Sequence, residues 1–387
     1  MATRAARLPN WLAALLPLGV IAALVAVFLA SEPISRLREV PPVEAIAVER
    51  TVLDPNEITM RIRNDGPDPV TIAQVLVDDA YWNHTIGDRE LGRLEATTVT
   101  IPYPWDAGLP VNIAFVTSTG LTIEHDIEAA ALTPEVDATT LGIYALLGIY
   151  IGVIPVAVGL LWFGALTRAS DRWIAFFLAL TAGLLVFLLV DTVSEGIEIA
   201  GTAGAALDGI GLFAIGALGA VLALNWLSSY LSEQRGARTG LVVAYLIATG
   251  IGLHNLGEGL AVGAALATGE IALGTFLVIG FALHNTTEGL AIVAPLGAER
   301  TRPSLWHFVA LGAVAGIPTI AGAWIGGYAF SPGPASLAFG LAAGAIAQVV
   351  WAIGKTMPRE RGYSSGPGAL GFVAGLLIMY VTGLFAA

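Results

Sequence analysis

Cysteine is absent from the 387 residues, which removes disulfides, zinc ribbons and thiolate ligands from consideration. Lysine is nearly absent: Lys355 stands alone beside seventeen arginines. It falls between apolar runs, so no membrane span offers the amine that a retinal Schiff base needs. Charge is sparse throughout, at 12% Asp, Glu, Lys and Arg against 56% hydrophobic residues, with 46 glycines and a mean hydropathy of +0.77. These values exclude an ordinary soluble enzyme and fit a polytopic membrane protein. No His-Glu-x-x-His stretch occurs, which takes away the usual helical zinc-hydrolase pattern.

What is present divides along the chain. Residues 11–30 form an unbroken apolar stretch of twenty after Arg4 and Arg7. The apolar region of a cleaved secretory signal is usually ~7–15 residues. The stretch is therefore expected to stay as a transmembrane anchor behind a cytoplasmic tail of residues 1–10, although Phe28-Leu29-Ala30-Ser31 leaves processing open. Residues 31–140 reverse this character, with nineteen acidic residues against seven arginines, a balance of −12 that equals the net charge of the whole chain. Short β-rich runs at 45–49, 57–63, 70–77, 97–102, 111–117 and 121–127 alternate with turn chemistry. Asn64-Asp65-Gly66-Pro67 and Ser118-Thr119-Gly120 read as turns of the kind that join hairpins. Strands in this number over ~90 residues predict a small immunoglobulin-like β-sandwich. His84 and His125 stand singly among its acids and read as part of a solvated face rather than as a metal centre.

From residue 141 to the C-terminus the chain reads as a membrane domain of eight spans, near 141–166, 173–197, 204–230, 240–267, 271–296, 305–330, 334–354 and 367–386. Basic residues collect in cytoplasmic loops. Here Arg4 and Arg7, Arg168 and Arg172, Arg235 and Arg238, Arg300 and Arg302, and Lys355, Arg359 and Arg361 occupy every alternate connection. That pattern places the N-terminus inside and both the β-rich segment and the C-terminus outside the cell membrane.

The fourth and fifth of these spans carry a repeated hexapeptide, His254-Asn255-Leu256-Gly257-Glu258-Gly259 and His284-Asn285-Thr286-Thr287-Glu288-Gly289. His and Glu at i and i+4 share one helical face, roughly 5–6 Å apart at Cβ. The Asn points about 100° away, toward a neighbouring position. In antiparallel helices His254, Glu258, His284 and Glu288 meet at one depth near mid-span. An ionisable residue there costs about 2.5–3.5 kcal/mol on insertion scales. A divalent cation compensates four of them, and imidazole with carboxylate suits zinc, iron(II), manganese, cobalt or nickel. The competing reading is a set of interhelical hydrogen bonds or ion pairs, and the repeat at matched depth favours metal.

With these motifs the chain resembles the ZIP family of divalent-metal transporters, particularly its bacterial and archaeal branch, over about 245 residues from residue 141 onward. The fourth core helix of that family carries HNxPEG and the fifth a related motif. The resemblance implies an eight-helix core and alternating-access import of zinc first, and also of iron, manganese, cobalt and cadmium. His254, Glu258, His284 and Glu288 would surround the primary site, with Asn255 and Asn285 helping a second one. Gly257 and Thr287 stand where the family has proline. Ile317-Pro318 stands where its sixth helix often has Glu-Pro, which leaves the second site short of a carboxylate. No cofactor beyond the transported metal is implied. The expected partners are that ion, the lipid bilayer and a second copy of the chain, and no nucleic acid.

Further acids, Asp191, Glu195 and Glu198 in the second span and Asp208 before the third, lie toward the outer end and are expected to form an entrance that concentrates cations. His307 reads as interfacial and Asn225 as a helix-packing hydrogen bond. Gly-rich faces in 201–219, 248–263, 311–327 and 340–345 fit close helix approach. Two rival functions remain. One is an intramembrane metal-dependent hydrolase, which would form product without ion flux. The other is a receptor with a sensing ectodomain, in which removal of residues 1–140 would abolish activity that a transporter core retains.

Overall fold

The computed structural model describes residues 10–31, 41–127, 129–235, 240–267, 271–299, 302–356 and 365–384. The expected tail, apart from Asn10, and Arg4, Arg7, Arg238, Arg300, Arg359 and Arg361 lie outside the described residues. The chain divides into two compact units, Met1–Val43 and Glu44–Ala387. The first holds one apolar helix, α1 (Asn10–Ser31), where the anchor is expected; at ~1.5 Å per residue, its 22 residues extend ~33 Å. The second holds both the β-rich and the helical regions. A boundary near residue 140 therefore separates two apolar cores within one compact unit.

The β-rich region contains β1 (Ile46–Asp54), β2 (Glu57–Asn64), β3 (Val70–Val77), β4 (Ala80–Tyr81), β5 (Thr85–Ile86), β6 (Glu90–Leu91), β7 (Ala96–Ile101), β8 (Val111–Thr117) and β9 (Thr122–Ile127). They form antiparallel sheets of order β1-β2-β7-β5 and β4-β3-β8-β9, with β6 against β3. Alternate residues face inward, as the period of a strand requires. Ile58, Met60 and Ile62 of β2 thus meet Ile72 and Val75 of β3 and Ile113 and Phe115 of β8 in one core. Five of the six long strands fall where the alternation predicts, whereas β1, expected at 45–49, continues to Asp54 along its pairing with β2.

One turn does something other than expected. Ser118-Thr119-Gly120 closes the β8–β9 hairpin, with Val116 opposite Thr122. Asn64-Asp65-Gly66-Pro67 closes none, because β2 and β3 belong to different sheets. The buried Asn64 side chain accepts from Gly66 N at 2.8 Å and donates to Asp68 O and Leu91 O, each at 2.8 Å, pinning a crossover between sheets. Turn chemistry is local, whereas the pairing partner is set by which face each strand buries.

Side chains of this region hold the helices. A register shift between Val48 and Arg50 marks a bulge at Glu49. Its carboxylate accepts from Arg61 Nε and Arg63 Nε, each at 2.9 Å. The buried Arg63 also donates to Asp65 Oδ1 at 2.8 Å and to Ala203 O at 3.1 Å. Asp65 accepts from the backbone of Ala205 and Ala206, beside Gly204 at φ +82°, where a Cβ would collide with the Asp65 carboxylate. Arg50 donates to Tyr328 O, farther along the chain.

The helical region runs α2 (Ala138–Gly148), a π-helical turn (Ile149–Val153), α3 (Ile154–Leu160), α4 (Phe163–Leu166), α5 (Asp171–Thr202), α6 (Gly209–Arg235), α7 (Gly240–Ala267), α8 (Ile271–Glu299), α9 (Leu305–Ala329), α10 (Pro332–Thr356) and α11 (Gly366–Gly383). Asp137 caps α2 by accepting from Thr140 N at 2.7 Å. Among the described residues, seven spans are long and apolar enough to cross a membrane, from Ala138–Leu166 to Pro332–Lys355, and 366–381 is a shorter apolar helix. The chain is thus mostly helical and multi-span, with a β-sheet region ahead of the spans.

The helices pack through small residues, which substitute for a hydrophobic driving force where lipid surrounds them. A Cβ added at Gly259 of α7 would lie 2.1 Å from Thr319 O of α9, and one at Gly340 of α10 would lie 2.1 Å from Phe213 O of α6. Gly183 of α5 meets α11 in the same way, and Gly159 of α3 meets α8. Close approach at 209–216, 252–263, 316–326 and 340–344 matches all four predicted glycine faces.

Candidate metal centre

Both motif helices are continuous. With Gly257 and Thr287 ahead of each Glu, α7 and α8 run unbroken through the motifs, and the proline inside α8, Pro295, lies beyond Gly289. Irregularity lies in their neighbours. Pro155 has no N–H, which frees the carbonyl four residues back, at Ile151 within the π-helical turn. Asn285 Nδ2 donates to that oxygen at 2.9 Å. Across the bundle, Asn255 Nδ2 donates to Ala315 O at 3.0 Å, beside Pro318 of α9. Each motif asparagine therefore braces its helix against a neighbour that carries a proline.

The donor atoms converge from two helices. His254 and Glu258 share a face of α7, with Nε2 3.1 Å from Glu258 Oε1. His284 of α8 does not pair with Glu288, its own i+4 partner. Its Nε2 contacts the same Glu258 Oε1. The second oxygen, Oε2, accepts from Asn285 Nδ2 at 2.7 Å. Asn285, expected to serve a neighbouring position, thus touches the primary carboxylate. His254, Glu258 and His284 are 3%, 3% and 4% exposed. Ligand atoms of all three lie within 4.8 Å of one another, the only such group among the described residues.

Glu288 stands outside this group. It is 1% exposed, neither oxygen has a hydrogen-bond partner, and Asn255 approaches it without completing a bond. One carboxylate, Glu258, serves both imidazoles, and Glu288 contacts neither. The sequence symmetry of the motifs is consequently not a symmetry of contacts.

The donor set fits a transition-metal ion. Zinc bonds to imidazole nitrogen and carboxylate oxygen are about 2.0–2.2 Å, so ligands of one ion stand no more than ~4.4 Å apart. The observed spread needs only small side-chain adjustment. A cavity of about 420 Å³ reaches the centre along α5, lined by Asp191, Glu195 and Glu198 and by His284 itself. Asp208 does not line it. At φ +46° it caps α6, accepting from Gly211 N at 3.1 Å. His307 pairs with Tyr245 Oη at 2.9 Å. Asn225 accepts from Gln348 Nε2 at 2.8 Å, the interhelical packing bond its position predicts.

One contact had no signature in the chain. Thr192 of α5, 0% exposed, places its hydroxyl 2.9 Å from His254 Nδ1. A lone threonine in an apolar span signals only a bond to its own helix, which it also makes, to Leu188 O at 2.7 Å.

Comparison with protein-family models and with curated proteins finds no match. The functional reading therefore rests on the residues and their arrangement.

Proposed function

We propose that the chain is a ZIP-type transporter of divalent transition-metal ions, zinc foremost, and not an enzyme. The observation that carries this reading is the buried convergence of His254, Glu258 and His284 from two membrane-length helices beside an acid-lined cavity. Asp191, Glu195 and Glu198 gather the cation, and the two imidazoles and the carboxylate replace its water. Alternating access then releases it to the cytoplasm. Side chains convergent at mid-helix are the general logic of secondary transporters.

In this proposal α2–α4 and α5 to α11 make an eight-span core, and α1 adds a ninth span. The alternation of basic connections sets the N-terminus inside and residues 31–140 and the C-terminus outside. We read the strand order β1-β2-β7-β5 and β4-β3-β8-β9 as the immunoglobulin type. Zinc uptake into proteoliposomes tests the reading: the wild-type chain accumulates zinc, and Glu258→Ala does not. Uptake by Glu258→Ala at the wild-type rate discards the assigned centre.

A further inference from the structure

We propose that Thr192 is a positioning residue for the ion, holding the His254 ring with its hydrogen on Nδ1 and its unshared pair on Nε2. This rests on the transporter reading of the centre. A threonine hydroxyl has one hydrogen to give and two unshared pairs to receive with. Thr192 Oγ1 lies 2.7 Å from Leu188 O and 2.9 Å from His254 Nδ1. The Leu188 carbonyl has no hydrogen to offer, so the hydroxyl donates there and accepts from Nδ1–H.

A neutral imidazole with Nδ1 protonated bears its unshared pair on Nε2, the atom 3.1 Å from Glu258 Oε1. Two unshared pairs facing each other repel, and a cation between them turns the repulsion into coordination. Turning the hydroxyl hydrogen toward Nδ1 gives the other tautomer, in which Nε2–H closes onto Glu258. That turn gives up the bond to Leu188 O, so the hydroxyl favours the first form, and the ion completes it. Ligating histidines depend on such support at their second nitrogen. Here it comes from α5, the helix whose Asp191 and Glu195 line the cavity, so that the same helix lines the approach and orients a ligand.

The test is zinc titration of the purified chain in detergent, with 15N NMR of its five histidines. Thr192→Val keeps the shape and removes the hydroxyl. It is expected to weaken zinc binding by ~10–100-fold and to abolish the Nδ1–H, Nε2-ligated state of His254, and Thr192→Ser restores both. Unchanged affinity in Thr192→Val, failure of Thr192→Ser to rescue, or ligation through Nδ1 in the wild-type chain overturns the proposal. Wild-type zinc binding separates the two readings. Its absence refutes the centre itself, whereas binding that Thr192→Val leaves unmoved refutes only the role of Thr192.

Discussion

Replacing Glu258 by Gln keeps the size of the side chain and removes the charge that both imidazoles face. The structure makes this carboxylate the hub of the centre: Oε1 contacts His254 and His284, and Oε2 accepts from Asn285 at 2.7 Å. Truncating one partner of a buried, hydrogen-bonded charge pair costs about 2–5 kcal/mol in binding. At ~1.4 kcal/mol per tenfold change, Glu258→Gln should weaken zinc binding by roughly one and a half to three and a half decades. Glu288→Gln supplies the contrast, since Glu288 lies outside the convergent group and neither of its oxygens is hydrogen-bonded. Its effect should stay within about tenfold. Competition titration of both variants against a zinc chelator measures the two losses side by side. Equal losses would restore the four-ligand site read from the repeat, and a loss below tenfold for Glu258→Gln would refute the arrangement.

Four further outcomes are expected. Gly259→Val forces a side chain into the α7–α9 seam, where even a Cβ lies 2.1 Å from Thr319 O, and should destabilise the protein by about 1–3 kcal/mol. Gly142→Ala, with open space around the added carbon, should not lower the thermal unfolding midpoint in the same detergent. Asp65→Ala removes the acceptor for Ala205 N and Ala206 N, so hydrogen exchange at those two amides should accelerate while the β8–β9 amides keep their protection. His125 titrates below its ordinary value because burial disfavours its charged form, against the opposing pull of Asp126. Its unfolded form thus binds a proton at higher pH than its folded form, and the stability it contributes is full above about pH 6.5. That contribution falls as pH drops toward the depressed folded value. His125→Gln should remove this component from thermal unfolding measured across pH 5–7.

Much of the architecture is legible in the chain because its causes are local. Apolar runs the length of a bilayer mark the spans, period-two alternation marks β2, β3, β7, β8 and β9, and the spacing of His254 to Glu258 and of His284 to Glu288 marks the two helices that matter. Even Gln348, which no pattern singles out, pairs with the Asn225 that does.

The rest depends on what packs against what. Identical spacing in the two hexapeptides implies two equivalent His–Glu pairs, yet His284 crosses to Glu258 and leaves Glu288 apart, because the rotation of each helix about its axis is set by glycine contacts with α9 and α3. Asn64-Asp65 has the chemistry of a hairpin turn and becomes the crossover and the clamp on the α5–α6 connection. Thr192 meets His254 across 62 residues of sequence. Spacing along one helix specifies which side chains share a face. Which faces meet is decided by the whole bundle at once, since each interface must satisfy the small-residue seams and buried polar groups of several helices together.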